Sequence, residues 1–151
     1  GINDVFGKTT DSSVDTTSSI NITRLETMIT SFKAFNANVK VGIMLTIPPS
    51  THQDAFGKNY TSAQTQRRHK QNVHRYVKAL ITAFGGREAS NIYLIPTNVN
   101  LDTANNMQVE TVAVNSRNST TVVRQSNGVH PADSGYYQIA DTVYYAIKAI
   151  S

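Results

Sequence analysis

The chain has 151 residues, of which 39% are hydrophobic and 16% charged, and its net charge is +4 at pH 7. This length and composition suit one globular domain with a sizeable core. Cysteine is absent, which excludes a disulfide-held scaffold, a cysteine-rich zinc site and a cysteine nucleophile. No apolar run is long enough to span a bilayer, and no signal-peptide pattern is present.

The first elements in chain order are a polar segment and a helix. Residues Thr9 to Ser19 are mostly Ser, Thr and Asp, a composition that predicts a loop. Beyond it, apolar residues recur at intervals of three and four, which predicts one face of a helix with Ser18 or Ser19 as its cap. The residues of that face are Ile22, Leu25, Met28, Ile29, Phe32 and Phe35.

A nearly continuous apolar run follows from Val39 to Ile47. A run of this length is typical of a strand buried on both faces of a parallel sheet. Pro48 and Pro49 end the strand, because proline cannot donate to the ladder. The sequence then predicts a polar loop to about Thr61.

Ser62 to Phe84 is predicted to be a long amphipathic helix that Gly85-Gly86 ends. Asn91 to Ile95 reads as a second short buried strand. Alternating residues predict a β-hairpin from Val109 to Val114 and from Thr120 to Arg124. A last helix is expected over Ser134 to Ile150, with apolar residues available for burial at Tyr137, Ile139, Ala140, Val143, Tyr144 and Ile147.

This order of elements is an α/β pattern, but it supplies only two parallel-type strands. Two buried strands cannot cover their own faces and edges while three helices pack on them. The sheet is therefore expected to be incomplete.

Two short motifs lie near the ends of the chain. It opens with Gly1-Ile2-Asn3-Asp4, which reads as a loop, and later carries Gly128-Val129-His130-Pro131 followed by Gly135-Tyr136. In order, spacing and setting before a helix, these motifs resemble the third and fifth sequence blocks of the SGNH (GDSL-type) hydrolases. Members of that family are esterases and lipases that use a serine nucleophile.

The resemblance implies a role for each matching residue. His130 would be the general base that takes the serine proton and returns it to the leaving alcohol. Asn3 would point its side-chain amide at the oxyanion. Gly1 would allow close approach of the backbone after a strand, and Asp4 would hold the loop.

Asn127 departs from the family, whose motif has Asp three residues before the histidine. A carboxylate there orients the imidazole and stabilises its charged form, and in serine proteases the change from Asp to Asn lowers turnover by roughly 10⁴. Three readings stay open: a Ser-His pair whose histidine is held by backbone, a weakened or inactive variant, or an introduced substitution. Deamidation at Asn127-Gly128, which would restore a carboxylate, is the least favoured.

The sequence contains no Gly-Asp-Ser block, and none of its candidate serines has the strand–turn–helix setting of a nucleophile; those considered are Ser12, Ser13, Ser50 and Ser62. The resemblance therefore implies that residues 1–151 form the C-terminal part of one SGNH domain, a three-layer α/β/α flavodoxin-like fold. The nucleophile-bearing N-terminal part would lie upstream or in a second chain.

The expected activity is the hydrolysis of a carboxylic ester, with an O-acetylated carbohydrate favoured because the loops are polar and the surface is basic. The alternative is a catalytically degenerate module for carbohydrate binding or for building a larger assembly. The composition also resembles that of SGNH modules on virion tails or cell surfaces, so an extracellular, cell-surface or virion-associated setting is expected.

No metal ion or organic cofactor is expected. His69 and His74 are five residues apart, which does not place two ligands on one helix face. His52 follows the first strand and could line a substrate cleft. The long helix concentrates basic residues, and a solvated face is favoured over a polysaccharide or nucleic-acid surface; these residues are Arg67, Arg68, Lys70, Arg75 and Lys78.

Overall fold

The computed structural model describes residues 1–59 and 64–151. The helices are α1 (Ile2–Phe6), α2 (Asp11–Phe35), α3 (Asp54–Asn59), α4 (Gln66–Phe84), α5 (Thr97–Asn100) and α6 (Asp133–Ile150). The strands are β1 (Val41–Met44), β2 (Ile92–Ile95), β3 (Val109–Asn115) and β4 (Asn118–Gln125), and a short 3₁₀ turn spans Glu88–Ser90.

The strands form two small sheets. β1 and β2 are parallel, with Val41 opposite Ile92 and Met44 opposite Ile95. β3 and β4 are the two strands of an antiparallel hairpin, as the alternating pattern predicts. The chain is therefore mixed α/β, with one two-stranded parallel sheet and one two-stranded antiparallel sheet in the part that the structure describes.

The core lies where α4 packs against α2 and against the parallel sheet. Helix α4 contributes most of it, because its apolar residues repeat at helical spacing towards the sheet. The buried core residues are Val5, Val14, Ile29, Ile43, Leu45, Val73, Tyr76, Val77, Leu80, Phe84 and Ile92.

The polar segment at the start of α2 is helical, so the prediction of a loop from Thr9 to Ser19 is wrong, and so is the predicted cap at Ser18 or Ser19. Thr10 is the cap, and its hydroxyl oxygen accepts the Ser13 N–H at 3.2 Å. The hydroxyls that follow donate back to the helix carbonyls, as Ser18 does to Val14 at 2.7 Å. The segment is thus polar in composition but satisfies its own hydrogen bonds.

Other predicted boundaries change more modestly. The strand expected from Val39 to Ile47 is β1, four residues long. The loop expected up to Thr61 contains α3. Both Thr61 and Ser62 lie outside the described residues, and α4 is described from Gln66, where Thr65 caps it by accepting the Arg68 N–H at 3.1 Å.

Two predicted apolar faces are only partly covered. On α2, Ile29 is buried, whereas Met28, Phe32 and Phe35 are exposed. On α6 only Gly135 and Thr142 are buried, and residues expected to pack are exposed, among them Tyr137, Tyr144 and Ile147. Helical spacing decides which residues share a face, but burial also needs a neighbouring element to cover that face.

Candidate functional site

The His130 loop, residues 127–131, presents one exposed side chain between buried neighbours. Gly128, Val129 and Pro131 are buried, and His130 itself is exposed. A histidine in this position is accessible to a second reactant, while the residues on either side fix its backbone.

The second half of the loop is anchored to the segment before the hairpin. Pro131 forms an isolated antiparallel bridge with Met107, and the Ala132 N–H donates to the Asn106 carbonyl at 3.0 Å. Gly135 is needed here, because a Cβ at this position would lie 2.5 Å from the Asn106 oxygen. The glycine of the second motif therefore permits close packing of α6 on the loop.

Asn127 organises the first half of the loop. Its side-chain oxygen accepts the N–H of Val129 at 3.0 Å and the N–H of His130 at 2.8 Å. An Asn side chain that bonds backbone amides two and three residues later is a common turn device. The side-chain oxygen of Asn127 thus holds the backbone of His130.

The His130 loop also contacts the segment that leaves β1. The Ser50 N–H donates to the Gly128 carbonyl at 3.0 Å. Ser50 follows the carboxyl end of β1, the end at which ligands bind in parallel α/β sheets. The structure therefore places the backbone of this loop against the segment that follows β1.

The opening motif is a helix and not the expected loop. Gly1 is the N-cap of α1, and no heavy atom of the described residues lies within 4 Å of a Cβ placed there. Asn3 is exposed. Asp4 accepts a hydrogen bond from the Asn21 amide at 3.1 Å, so this carboxylate ties α1 to α2.

An aromatic cluster of Phe6, Phe56 and His69 joins the two motif regions. The Phe56 ring lies 6.3 Å from the Phe6 ring and is parallel to it within 5°, and it lies 5.9 Å from the His69 ring. A Cβ at Gly128 would meet the Phe56 ring at 2.8 Å. Phe56 therefore connects α1 with the His130 loop. No hydrogen bond joins Asn3 to His130 in the part of the chain that the structure describes.

His69 is a core residue that the sequence-based predictions do not include. Its side chain is 0% exposed, and neither ring nitrogen has a hydrogen-bond partner among the residues that the structure describes. Burial lowers the pKa of His69 to about 4. Its place at helical spacing with Val73 and Tyr76 is the signal that could have assigned it to the apolar face of α4.

Among the candidate serines that the structure describes, Ser12, Ser13 and Ser50, none is hydrogen-bonded to His130. Ser50 is fully buried, and its hydroxyl faces the His52 carbonyl at 3.5 Å. Ser12 and Ser13 lie in the first turn of α2, where the Ser13 hydroxyl donates to the Thr10 carbonyl. Ser62 is not among the described residues.

Acidic residues of α2 neutralise part of the basic face of α4. Arg75 pairs with Asp15 at 2.7 Å and with Asp11 at 3.2 Å, and Arg68 pairs with Asp11 at 2.9 Å. These ion pairs lower the positive potential that a phosphate backbone would need. They favour the interpretation of this face as a solvated helix surface.

Within residues 1–59 and 64–151 there is no group of three or more potential metal-ligating side chains, and no helix there is long and apolar enough to cross a membrane. Comparisons with protein-family models, with curated proteins and with solved structures found no match for this chain.

We expect Gly128→Ala to destabilise the protein by about 1–3 kcal/mol, because the new methyl group would force the Phe56 ring to move. Gly7→Ala is the matched control, since no heavy atom of residues 1–59 and 64–151 lies within 4 Å of a Cβ at Gly7. Urea denaturation measures both variants. Equal stability of the two would mean that Gly128 does not pack on Phe56.

We also expect stability to fall as the pH is lowered from 6.5 to 4. In this window the unfolded chain protonates His69, whereas the folded chain does not, because burial lowers the pKa of His69 from 6.5 to about 4. The stabilisation is fully present above pH 6.5, and its loss amounts to roughly 3 kcal/mol by pH 4. His69→Phe should remove this part of the pH dependence, and an unchanged dependence in this variant would contradict the assignment.

Proposed function

We propose that residues 1–151 take part in the hydrolysis of a carboxylic ester by a serine mechanism of the SGNH type. In this proposal they form the C-terminal part of a three-layer α/β/α domain. The observation that supports it most is the exposed His130, whose two neighbouring residues are buried and whose backbone is held by Asn127. This is the arrangement that a general base acting on a second group requires.

His130 would take the proton of a serine hydroxyl as the serine oxygen bonds to the ester carbon. As the ester bond breaks, the imidazolium would return the proton to the leaving alcohol, and water would then release the acyl group by the same steps in reverse order. Asn3 would donate its amide hydrogen bond to the negative charge that develops on the carbonyl oxygen. The proposal requires a serine from outside residues 1–151.

A second candidate function is a degenerate module that binds carbohydrate or builds a larger assembly. It is favoured by Asn127, which carries no charge to stabilise an imidazolium. The exposed tyrosines of α6 also favour it, because tyrosine is enriched in binding interfaces.

The esterase proposal predicts that a fluorophosphonate labels a serine of the intact protein, because such reagents react with activated serine hydroxyls. His130→Ala should lower the labelling rate and the hydrolysis of p-nitrophenyl acetate by roughly 10³-fold or more. His74→Ala, which alters an exposed histidine of α4, is the control and should change neither. If no serine is labelled in the wild-type protein, the binding or structural function is the better one.

Asn127→Asp tests whether the missing charge at position 127 limits the rate of ester hydrolysis. Aspartate keeps the acceptor oxygen for the two backbone amides and adds a charge that favours the imidazolium in the transition state. If the missing charge limits the enzyme, kcat for p-nitrophenyl acetate should rise on the order of 10² or more. An unchanged kcat, with His130→Ala still inactive, would show that the backbone alone positions the histidine.

A further inference from the structure

A polar cavity of about 290 Å³ lies between the hairpin and the segments on either side of it. Its wall includes His52 and Asp54 from the segment after β1, Asn105 from the segment before β3, and Val109, Val123 and Arg124 from the hairpin. This volume is at the lower end of the range for small-molecule sites, which begins near ~300 Å³. One or two sugar rings are ligands of that size.

The floor of the cavity is held in place by Gln125. This side chain is 5% exposed. Its oxygen accepts the Thr51 N–H at 3.0 Å, and its amide nitrogen donates to the carbonyls of Thr103 at 2.7 Å and Ala104 at 3.0 Å. Two segments, at Thr51 and at Thr103–Ala104, are thus fixed to the buried amide of Gln125, so the cavity exists before a ligand arrives.

The charges at the cavity favour a neutral ligand. Arg124 pairs with Asp54 at 3.1 Å, and both side chains remain partly exposed. A phosphate or sulfate would be repelled by Asp54, and a cation would be repelled by Arg124. A sugar hydroxyl can donate to the carboxylate and accept from the guanidinium, so it can use both partners of the ion pair.

The hairpin supplies an apolar surface beside these polar groups. Val109 and Val123 are 55% and 66% exposed. They lie on the same face of the hairpin, because Val109 is opposite Gln125 and Val123 is two residues before Gln125. Arg124 alternates to the other face of β4, but it lines the same cavity as the two valines, together with Asp54. The C–H face of a pyranose ring can therefore pack on the valines while its hydroxyls reach the ion pair.

The cavity lies close to His130 along the chain. Gln125 precedes His130 by five residues, so their Cα atoms are at most ~18 Å apart. The Ser50–Gly128 hydrogen bond also ties the His52 segment to the His130 loop. We propose that this cavity is a subsite for a neutral oligosaccharide whose O-acyl group is presented to His130, an inference that rests on the proposed ester hydrolysis.

The test is saturation-transfer NMR and calorimetry of the intact protein with two neutral disaccharides, N,N′-diacetylchitobiose and cellobiose, and with a sulfated disaccharide. We expect at least one neutral disaccharide to bind and the sulfated one to bind more weakly. Val123→Lys should weaken binding by roughly tenfold or more, because it replaces the apolar wall with a long cation. Val123 is exposed, so this change leaves the fold intact.

Two control variants keep the test specific. Thr121→Lys places the same side chain on the same hairpin face, at an exposed position that does not line the cavity. Arg75→Gln breaks an ion pair on α4, and Arg124→Gln breaks the one in the cavity. Binding should survive Thr121→Lys and Arg75→Gln, and should weaken in Arg124→Gln. Absence of binding by both neutral disaccharides, or equal binding by Val123→Lys and Thr121→Lys, would overturn the inference.

Ester hydrolysis and disaccharide binding, measured on the same variants, separate the subsite from the esterase. His130→Ala should abolish the hydrolysis of p-nitrophenyl acetate and leave disaccharide binding intact, whereas Thr121→Lys, which lies outside the cavity, should change neither. Disaccharide binding that depends on Val123 without any ester hydrolysis would retain the subsite and remove the esterase. Hydrolysis without disaccharide binding would retain the esterase and remove the subsite.

Discussion

The packing of the Phe56 ring holds together parts of the chain that are far apart in sequence. The ring is fully buried, and it meets α1 through Phe6, α4 through His69 and the His130 loop through Gly128. Interiors pack at crystal-like density, so a ring contacted on several sides transmits any displacement to each of its neighbours. The position of the His130 loop relative to α1 therefore depends on a side chain that belongs to neither motif.

How far the fold can be predicted from sequence differs between its helices. Helix α4 is evident because its apolar residues recur at helical spacing, and β1, β2 and the hairpin are recognised from their runs and alternation. The start of α2 is not, because its buried face includes Ser18 and Asn21, which a hydrophobic pattern does not count. Helix α6 shows the opposite error: its spacing is right, but no element of the described part of the chain covers most of its apolar side chains.

The candidate site can also be predicted only in part, because local sequence signals identify the His130 loop but not its tertiary contacts. Gly128 and Pro131 mark a turn around His130, and the structure places that histidine at the surface. The role of Asn127 in capping the loop is a local property that its spacing from His130 also permits. The position of α1 relative to the His130 loop depends on Phe56 and on tertiary packing, which neither motif encodes. For the same reason the helical conformation of the opening motif is not evident from four residues.

Threonine hydroxyls of α2 that donate hydrogen bonds to carbonyls of the same helix determine how water can contact this helix. Along its exposed surface, Thr16, Thr23, Thr27 and Thr30 each donate the hydroxyl proton to a carbonyl four residues earlier. Only the oxygen lone pairs then remain for solvent, so these hydroxyls accept hydrogen bonds from water and donate none. The hydration layer over this side of the protein is therefore oriented, with water hydrogens directed inward, although the helix carries few charges there.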